Sequence, residues 1–298
     1  NNGAINTFYD MNPMGASSGT NSISTKAIQS IENSLDGVNN TDMYALAHYN
    51  LGYSYFKEKD YDEALNRFRQ YINLESNQQA TAYADAYNRI GDCLFHNRQF
   101  ALAEEQYSRA AQLQPSAGDY ALYQKGFVMG LQKDYKGKIN LMDQLISEFP
   151  NSSYADDALF EKGRAYVLLD NNTSAARTFE QLVKQYPQSS LSSKAGIQLG
   201  LIYFNEGEMD RAAEAYKAVI GAYPGSDEAK VALQDLKAVY VEQNNVSAYA
   251  AYVNSLGGNI HLEVSEQDSL TYIAAEKLFM RGDNAGAQRS LESYLQQY

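Results

Sequence analysis

Residues 149–166 read FPNSSYADDALFEKGRAY: an aromatic beside a proline, two serines, then small and large apolar residues at helical spacing. Thirty-seven residues on comes YPQSSLSSKAGIQLGLIY, from Tyr186 to Tyr203, and another 37 on comes YPGSDEAKVALQDLKAVY, from Tyr223 to Tyr240. Pro150, Pro187 and Pro224 align, as do Tyr166, Tyr203 and Tyr240. Gly163 and Gly200 share a slot that Lys237 takes in the third copy. Self-similarity at a fixed period of about 20–50 residues is the mark of a stacked-repeat architecture.

The register runs on toward the N-terminus. Gly52, Gly91, Gly126, Gly163 and Gly200 lie at spacings of 39, 35, 37 and 37. Three residues after each stands a large side chain: Tyr55, Leu94, Met129, Tyr166 or Tyr203. Twelve after the glycine comes Ala64, Ala103, Lys138, Ala175 or Ala212, and four later Phe68, Tyr107, Met142, Phe179 or Tyr216. Pro115, Pro150, Pro187 and Pro224 close four of the units. A small residue lets two helices approach, and the large residue fills the space beside that contact. A helix pair cannot bury its apolar face alone, so neighbours stack and share a core. Proline ends the second helix, because it has no N–H and disfavours helical geometry in the residue before it. Ser153 ahead of Asp156 and Asp157, and Ser226 ahead of Asp227 and Glu228, predict capped helix starts.

This pattern resembles the tetratricopeptide repeat, two antiparallel helices carrying Leu-Gly, Tyr, then Ala, a large aromatic and Pro. The first unit matches through Leu51, Gly52, Tyr55, Tyr61, Ala64 and Phe68. The fifth matches through Leu199, Gly200, Tyr203, Ala212, Tyr216 and Pro224. The resemblance implies an all-α fold, a right-handed superhelical solenoid of antiparallel helix pairs. Five repeats are expected over 45–78, 84–117, 119–152, 156–189 and 193–226, within a repeat region of 41–228. Residues 1–40 read as an irregular segment plus a capping helix over Ile23–Leu35. Residues 229–298 read as a degenerate repeat, an irregular connection over 255–268, and a final partial repeat. That last repeat ends where earlier copies have Tyr-Pro, which suggests a chain cut from a longer array or a capping helix.

The composition narrows the function. Of 298 residues 44% are hydrophobic, enough for a sizeable core, and no apolar run reaches the roughly 18 residues of a membrane span. Acidic residues outnumber basic ones by 36 to 24, a net charge of −12 that argues against nucleic-acid partners. A single cysteine, Cys93, excludes an internal disulfide framework. The chain opens at Asn1 without a signal-peptide pattern, so any targeting segment is expected to lie outside it. Tyrosine reaches 25 while tryptophan is absent.

Catalytic and metal chemistry find little footing. The histidines are His48, His96 and His261; Cys93 and His96 share a helix face, but no further ligand stands at a recognisable spacing. Acid pairs such as Asp156/Asp157 and Glu104/Glu105 fall in helix first turns or on solvated faces. The glycines are dispersed at repeat spacing rather than clustered as in a phosphate loop. The expectation is a non-enzyme with no cofactor and no metal.

The tetratricopeptide resemblance places a concave groove along the first helices and implies which residues face it. In the first unit these include Tyr49, Tyr53 and Phe56, and in the second Asp85, Asn88, Asp92, Phe95 and His96. The third contributes Tyr120, Tyr123 and Phe127, and the fourth Asp157, Phe160 and Arg164. The fifth contributes Ile197, Leu201 and Phe204. Tyr49 and Tyr53 stand where chaperone-binding relatives carry the first Lys and Asn of a carboxylate clamp, so that mode is not expected. What remains is rich in Tyr and Phe and suits apolar or extended peptide contacts. The expected function is a non-catalytic scaffold holding a protein or peptide along the groove. The Tyr/Phe-Pro-x-Ser junctions are similar to those of bacterial cell-envelope tetratricopeptide proteins, implying a role in envelope assembly or maintenance and a periplasmic or outer-membrane-associated location. The alternative is a glycan-binding component of an outer-membrane nutrient-uptake system; the oligomeric state is left open.

Overall fold

In a computed structural model, the residues described are Ser30, 41–258, Ile260 and 262–298. Apart from Ser30, the expected N-terminal segment and its capping helix lie outside them, as does His261. The described residues form fourteen α-helices and one short 3₁₀ turn. They fall into two compact units, one running to Leu169 and one from Asp170 to Tyr298.

The first unit holds α1 (Thr41–Lys57), α2 (Tyr61–Leu74), α3 (Thr81–His96), α4 (Phe100–Leu113), α5 (Asp119–Leu131), α6 (Tyr135–Glu148) and α7 (Ala155–Leu168). Each helix packs on the next in chain order, and a continuous apolar core runs from Ala45 to Val128. The second unit holds α8 (Asn172–Gln185), α9 (Ser190–Asn205), α10 (Met209–Ala222), α11 (Asp227–Glu242), α12 (Val246–Ser255), α13 (Val264–Met280) and α14 (Asn284–Gln297). No described helix is long and apolar enough to cross a membrane.

The repeat residues have definite mechanical roles. A Cβ added at Gly52 would lie 2.7 Å from the Phe68 ring, at Gly91 2.6 Å from Tyr107, and at Gly200 2.4 Å from Tyr216. The glycine therefore serves the ring sixteen residues on, which lies against bare backbone and is wholly or almost wholly buried. The large residue three after the glycine closes the turn between the helices. The carbonyls of Tyr55, Leu94, Met129 and Tyr203 accept the N–H five residues on, at 2.8–2.9 Å. Within these turns Lys59, Arg98, Lys133 and Gly207 take positive φ, the Schellman ending of a helix. The residue that follows begins the second helix. Asp60, Asp134, Asn171, Asn245 and Asp283 do so with a side-chain cap on an N–H three residues on.

Prolines end the second helices as expected. Gln114, Phe149, Tyr186 and Tyr223, each preceding a proline, sit at φ −128 to −134° and ψ 54 to 71°, outside the helical region. The expected Ser153 cap is not formed. Ser153 is exposed and α7 starts without a side-chain cap; Ser152 instead makes a local turn bond, its Oγ accepting from the Tyr154 N–H at 3.1 Å while donating to Asp119 at 2.6 Å. In the same register Ser189 caps through the Leu191 N–H, and Ser226, as expected, through Ala229.

The connection expected over 255–268 is shorter, because α13 already starts at Val264. Lys237, which replaces the repeat glycine, reaches out of its own pair and donates to Glu266 at 2.9 Å. Glu266 lies in the first turn of α13. Gly257 and Gly258, both at positive φ, turn the chain just after α12.

The ring on Gly91 cannot slide aside, because its hydroxyl is tied to Asp92 at 2.7 Å. Gly91→Ala should therefore destabilise the protein by about 1–3 kcal/mol in denaturant melts. Gly221→Ala, where an added Cβ meets nothing within 4 Å, should instead stabilise it by about 0.5–1 kcal/mol.

Candidate functional site

In the first unit α1 packs beside α3 and α5 beside α7, with side-chain contacts linking α3 to α5. The polar chemistry of this shared first-helix face starts at Asp85. Tyr49 donates to Asp85 Oδ2 at 2.6 Å, and Tyr53 donates to the same oxygen. Arg89, one turn along α3, lies 3.5 Å from Asp85 Oδ1 and 2.7 Å from Asp92 Oδ2. Tyr107 and Tyr120 both donate to Asp92 Oδ1, at 2.7 and 2.8 Å. The Arg89 guanidinium also stands 4.7 Å from the centre of the Tyr120 ring. Arg89 is 5% and Asp92 1% exposed, so this lattice is buried and its charges are held by one another. Burial, aided by the Asp85 charge, raises the Tyr49 and Tyr53 hydroxyls, keeping both as neutral donors.

A second cluster joins α6 and α7. Lys138 bonds Glu161, and Arg164 Nη1 lies 2.7 Å from the other Glu161 oxygen. Burial opposes the Glu161 charge, yet the two cations together hold its carboxyl below its ordinary value. Gly130 makes room for this lysine: a Cβ there would meet Lys138 Cδ at 2.8 Å.

The structure sorts the expected groove residues by depth. Asp92, Phe95, Tyr123 and Phe160 are 6% exposed or less and belong to the packing between helices. Tyr49, Tyr53, Phe56, Asn88, Tyr120, Phe127 and Arg164 are half-buried on the face. In the second unit, on α9, Leu201 is exposed while Ile197 and Phe204 are half-buried. Cys93 is fully buried and its thiol is pushed up by that burial; His96 stacks flat on Tyr61 at 4.1 Å.

Residues 49–118 and 160–227 match one tetratricopeptide repeat model, and residues 120–152 match a second, together more than half of the chain. The chain belongs to the tetratricopeptide repeat family. Solved structures agree on the fold. The C-terminal part of a tetratricopeptide repeat-containing protein from Cytophaga hutchinsonii is 17% identical, covers 89% of this chain and 93% of its own, and has a TM-score of 0.58. A tetratricopeptide repeat protein from Parabacteroides merdae ATCC 43184 is 13% identical over 85% of this chain and 92% of its own, with a TM-score of 0.54. No curated protein sequence matches the chain.

The tetratricopeptide register exposes what groove-position reasoning overlooked. Two residues before each repeat glycine stand Asn50, Arg89, Gln124, Glu161 and Gln198, a polar series inside apolar helices. Its periodicity was the available signal. Arg89 and Glu161 are the hubs of the two charge clusters, and Gln124 is fully buried with neither amide atom hydrogen-bonded.

Asp157 stands apart from the charged hubs Arg89 and Glu161. It is 9% exposed and makes no hydrogen bond or ion pair among the described residues. Burial first, then the Asp156 and Glu161 charges, push its carboxyl up to about 7. Its folded-state value exceeds the ordinary 3.9, so its ionisation costs stability as pH rises from about 4 through 7. Asp157→Asn should leave the unfolding midpoint unchanged at pH 4 but raise it at pH 8, by on the order of 1–3 kcal/mol in stability. Equal effects at the two pH values, measured by scanning calorimetry, would contradict this.

Proposed function

We propose that this tetratricopeptide array is a non-catalytic scaffold whose first-helix face in the first unit holds an extended peptide segment of a partner protein. The observation that carries the reading is a row of half-buried rings on adjacent helices: Tyr49, Tyr53 and Phe56 on α1, then Tyr120 and Phe127 on α5. Between them lie Asp85 and Asn88 of α3, which supply polar edges. Rings partly exposed on a rigid scaffold give contact area at small entropic cost, the usual chemistry of peptide anchors. The buried Arg89 lattice ties α1, α3, α4 and α5 together beneath them, so the face is presented without reorganisation.

The Tyr/Phe-Pro-x-Ser junctions, similar to those of cell-envelope relatives, support a periplasmic or outer-membrane-associated setting and a role in envelope assembly. Fractionation of native cells tests that setting directly.

A photo-crosslinking amino acid at Phe56 or Phe127 should capture the same discrete protein in native cells. The exposed second-helix position Arg69 should not. Phe127→Asp should weaken binding of the captured partner by tenfold or more, in isothermal titration with purified components. Equal capture from all three positions, or undiminished affinity of Phe127→Asp, removes the face from consideration.

A further inference from the structure

Asp85 and Asp157 occupy the same place in successive copies of one helix pattern, six residues before a repeat glycine. Their surroundings differ in a telling way. Asp85 receives the hydroxyls of Tyr49 and Tyr53 and faces the Arg89 guanidinium. In the register of Asp157 the corresponding residues are Tyr123, Phe127 and Glu161. One hydroxyl has become a bare ring, and the cation has become a second carboxylate. Tyr123 makes no hydrogen bond to Asp157. The cations of the same two helices are engaged elsewhere: Lys138 and Arg164 both bond Glu161, and Lys162 bonds Asp143 at 2.5 Å.

Nine-tenths of Asp157 is buried, with the remaining tenth open to solvent. Tyr123 and Tyr154 stand close enough to feel its charge, yet neither donates a hydrogen bond to it, and their rings belong to an aromatic row. Tyr123 and Tyr154 stack at 5.6 Å and 20°, Tyr123 and Phe127 at 6.4 Å and 28°, and Tyr120 meets Tyr154 edge-on at 5.7 Å. A carboxylate that its own chain leaves unneutralised, among aromatic rings on the binding face, has the chemistry of a cation receptor.

We infer that Asp157 anchors a positively charged side chain, lysine or arginine, of the peptide lying along this face, with the half-buried Tyr154 ring flanking its alkyl stem. The inference rests on the peptide-binding reading above and specifies the partner's chemistry. It supplies from outside the charge that Arg89 supplies to Asp85 from within. A bound cation also replaces repulsion from Asp156 and Glu161 with attraction, so the site gains most from a ligand that carries its charge deep into the face.

The test is selection of an unbiased displayed-peptide library on the full chain, followed by affinity measurement on individual synthetic peptides. Selected peptides should converge on Lys or Arg at one fixed position. Replacing that residue by norleucine should weaken binding to the wild-type chain at least tenfold. Asp157→Asn should weaken the parent peptide by the same factor, and the norleucine peptide no further. Asp156→Asn, a neighbouring acid on the same turn, should change affinity less than twofold, with circular dichroism confirming that both variants keep the helical fold. Peptides that lack a basic position, yet lose affinity to Phe56→Ala, overturn the Asp157 anchor and leave the face intact. Equal losses in Asp157→Asn and Asp156→Asn do the same. Peptides indifferent to Phe56→Ala, or no enrichment at all, overturn both.

Discussion

The structure depends on one contact, repeated: a glycine on the first helix of a pair pressed against a large side chain sixteen residues later on the second. Phe68, Tyr107 and Tyr216 each lie where a Cβ on the opposing glycine would sit, and each is wholly or almost wholly buried. Such an approach sets the distance between the two helices, and the tight Schellman turn three residues beyond the glycine sets their antiparallel course. Once those are fixed, the remaining apolar stripe of each helix has only the neighbouring pair to bury against. The first helices are thereby set side by side, and a binding face follows from packing alone.

The excess of tyrosine over tryptophan finds its reason in the same geometry. Stacked pairs bring Arg89, Gln124 and Glu161, each two residues before a glycine, and Asp92 into the interior, where an unpaired charge is costly. Tyrosine answers with a ring that packs and a hydroxyl that donates. Tyr49 and Tyr53 meet Asp85, and Tyr107 and Tyr120 meet Asp92, so four rings that fill space also satisfy two carboxylates. Tryptophan, with one N–H on a larger fixed bicycle, could not pack on bare glycine backbone and reach an aspartate from the same place as Tyr107 does.

Period, helix pairing and the proline stops were legible in the sequence because each rests on local stereochemistry that recurs in register. Depth was not. The family pattern tells which way Phe95, Tyr123 and Phe160 point, but their burial is decided by side chains one repeat away. The expected Ser153 cap is absent, and its neighbour Ser152 instead bonds Asp119, thirty-three residues upstream. The early start of α13 likewise comes with a distant contact, Lys237 bonding Glu266 twenty-nine residues on. Each miss has the same form: a contact between residues far apart in sequence, which a local pattern does not carry.

Asp85 and Asp157 carry that reasoning furthest, since position in the repeat is identical and only the neighbours differ. If the array served packing alone, the site at Asp157 would be better filled by asparagine, which keeps the shape without the cost of an unpaired charge beside Asp156 and Glu161. The same helix face already shows how this fold neutralises a carboxylate at that position, with two tyrosines and an arginine. Leaving the second copy without the second hydroxyl and the arginine trades folded-state stability for a charge held in reserve. Groups with such unfavourable ionisation in otherwise well-satisfied surroundings concentrate where proteins meet ligands. The stability cost and the binding chemistry at Asp157 are two readings of one missing cation.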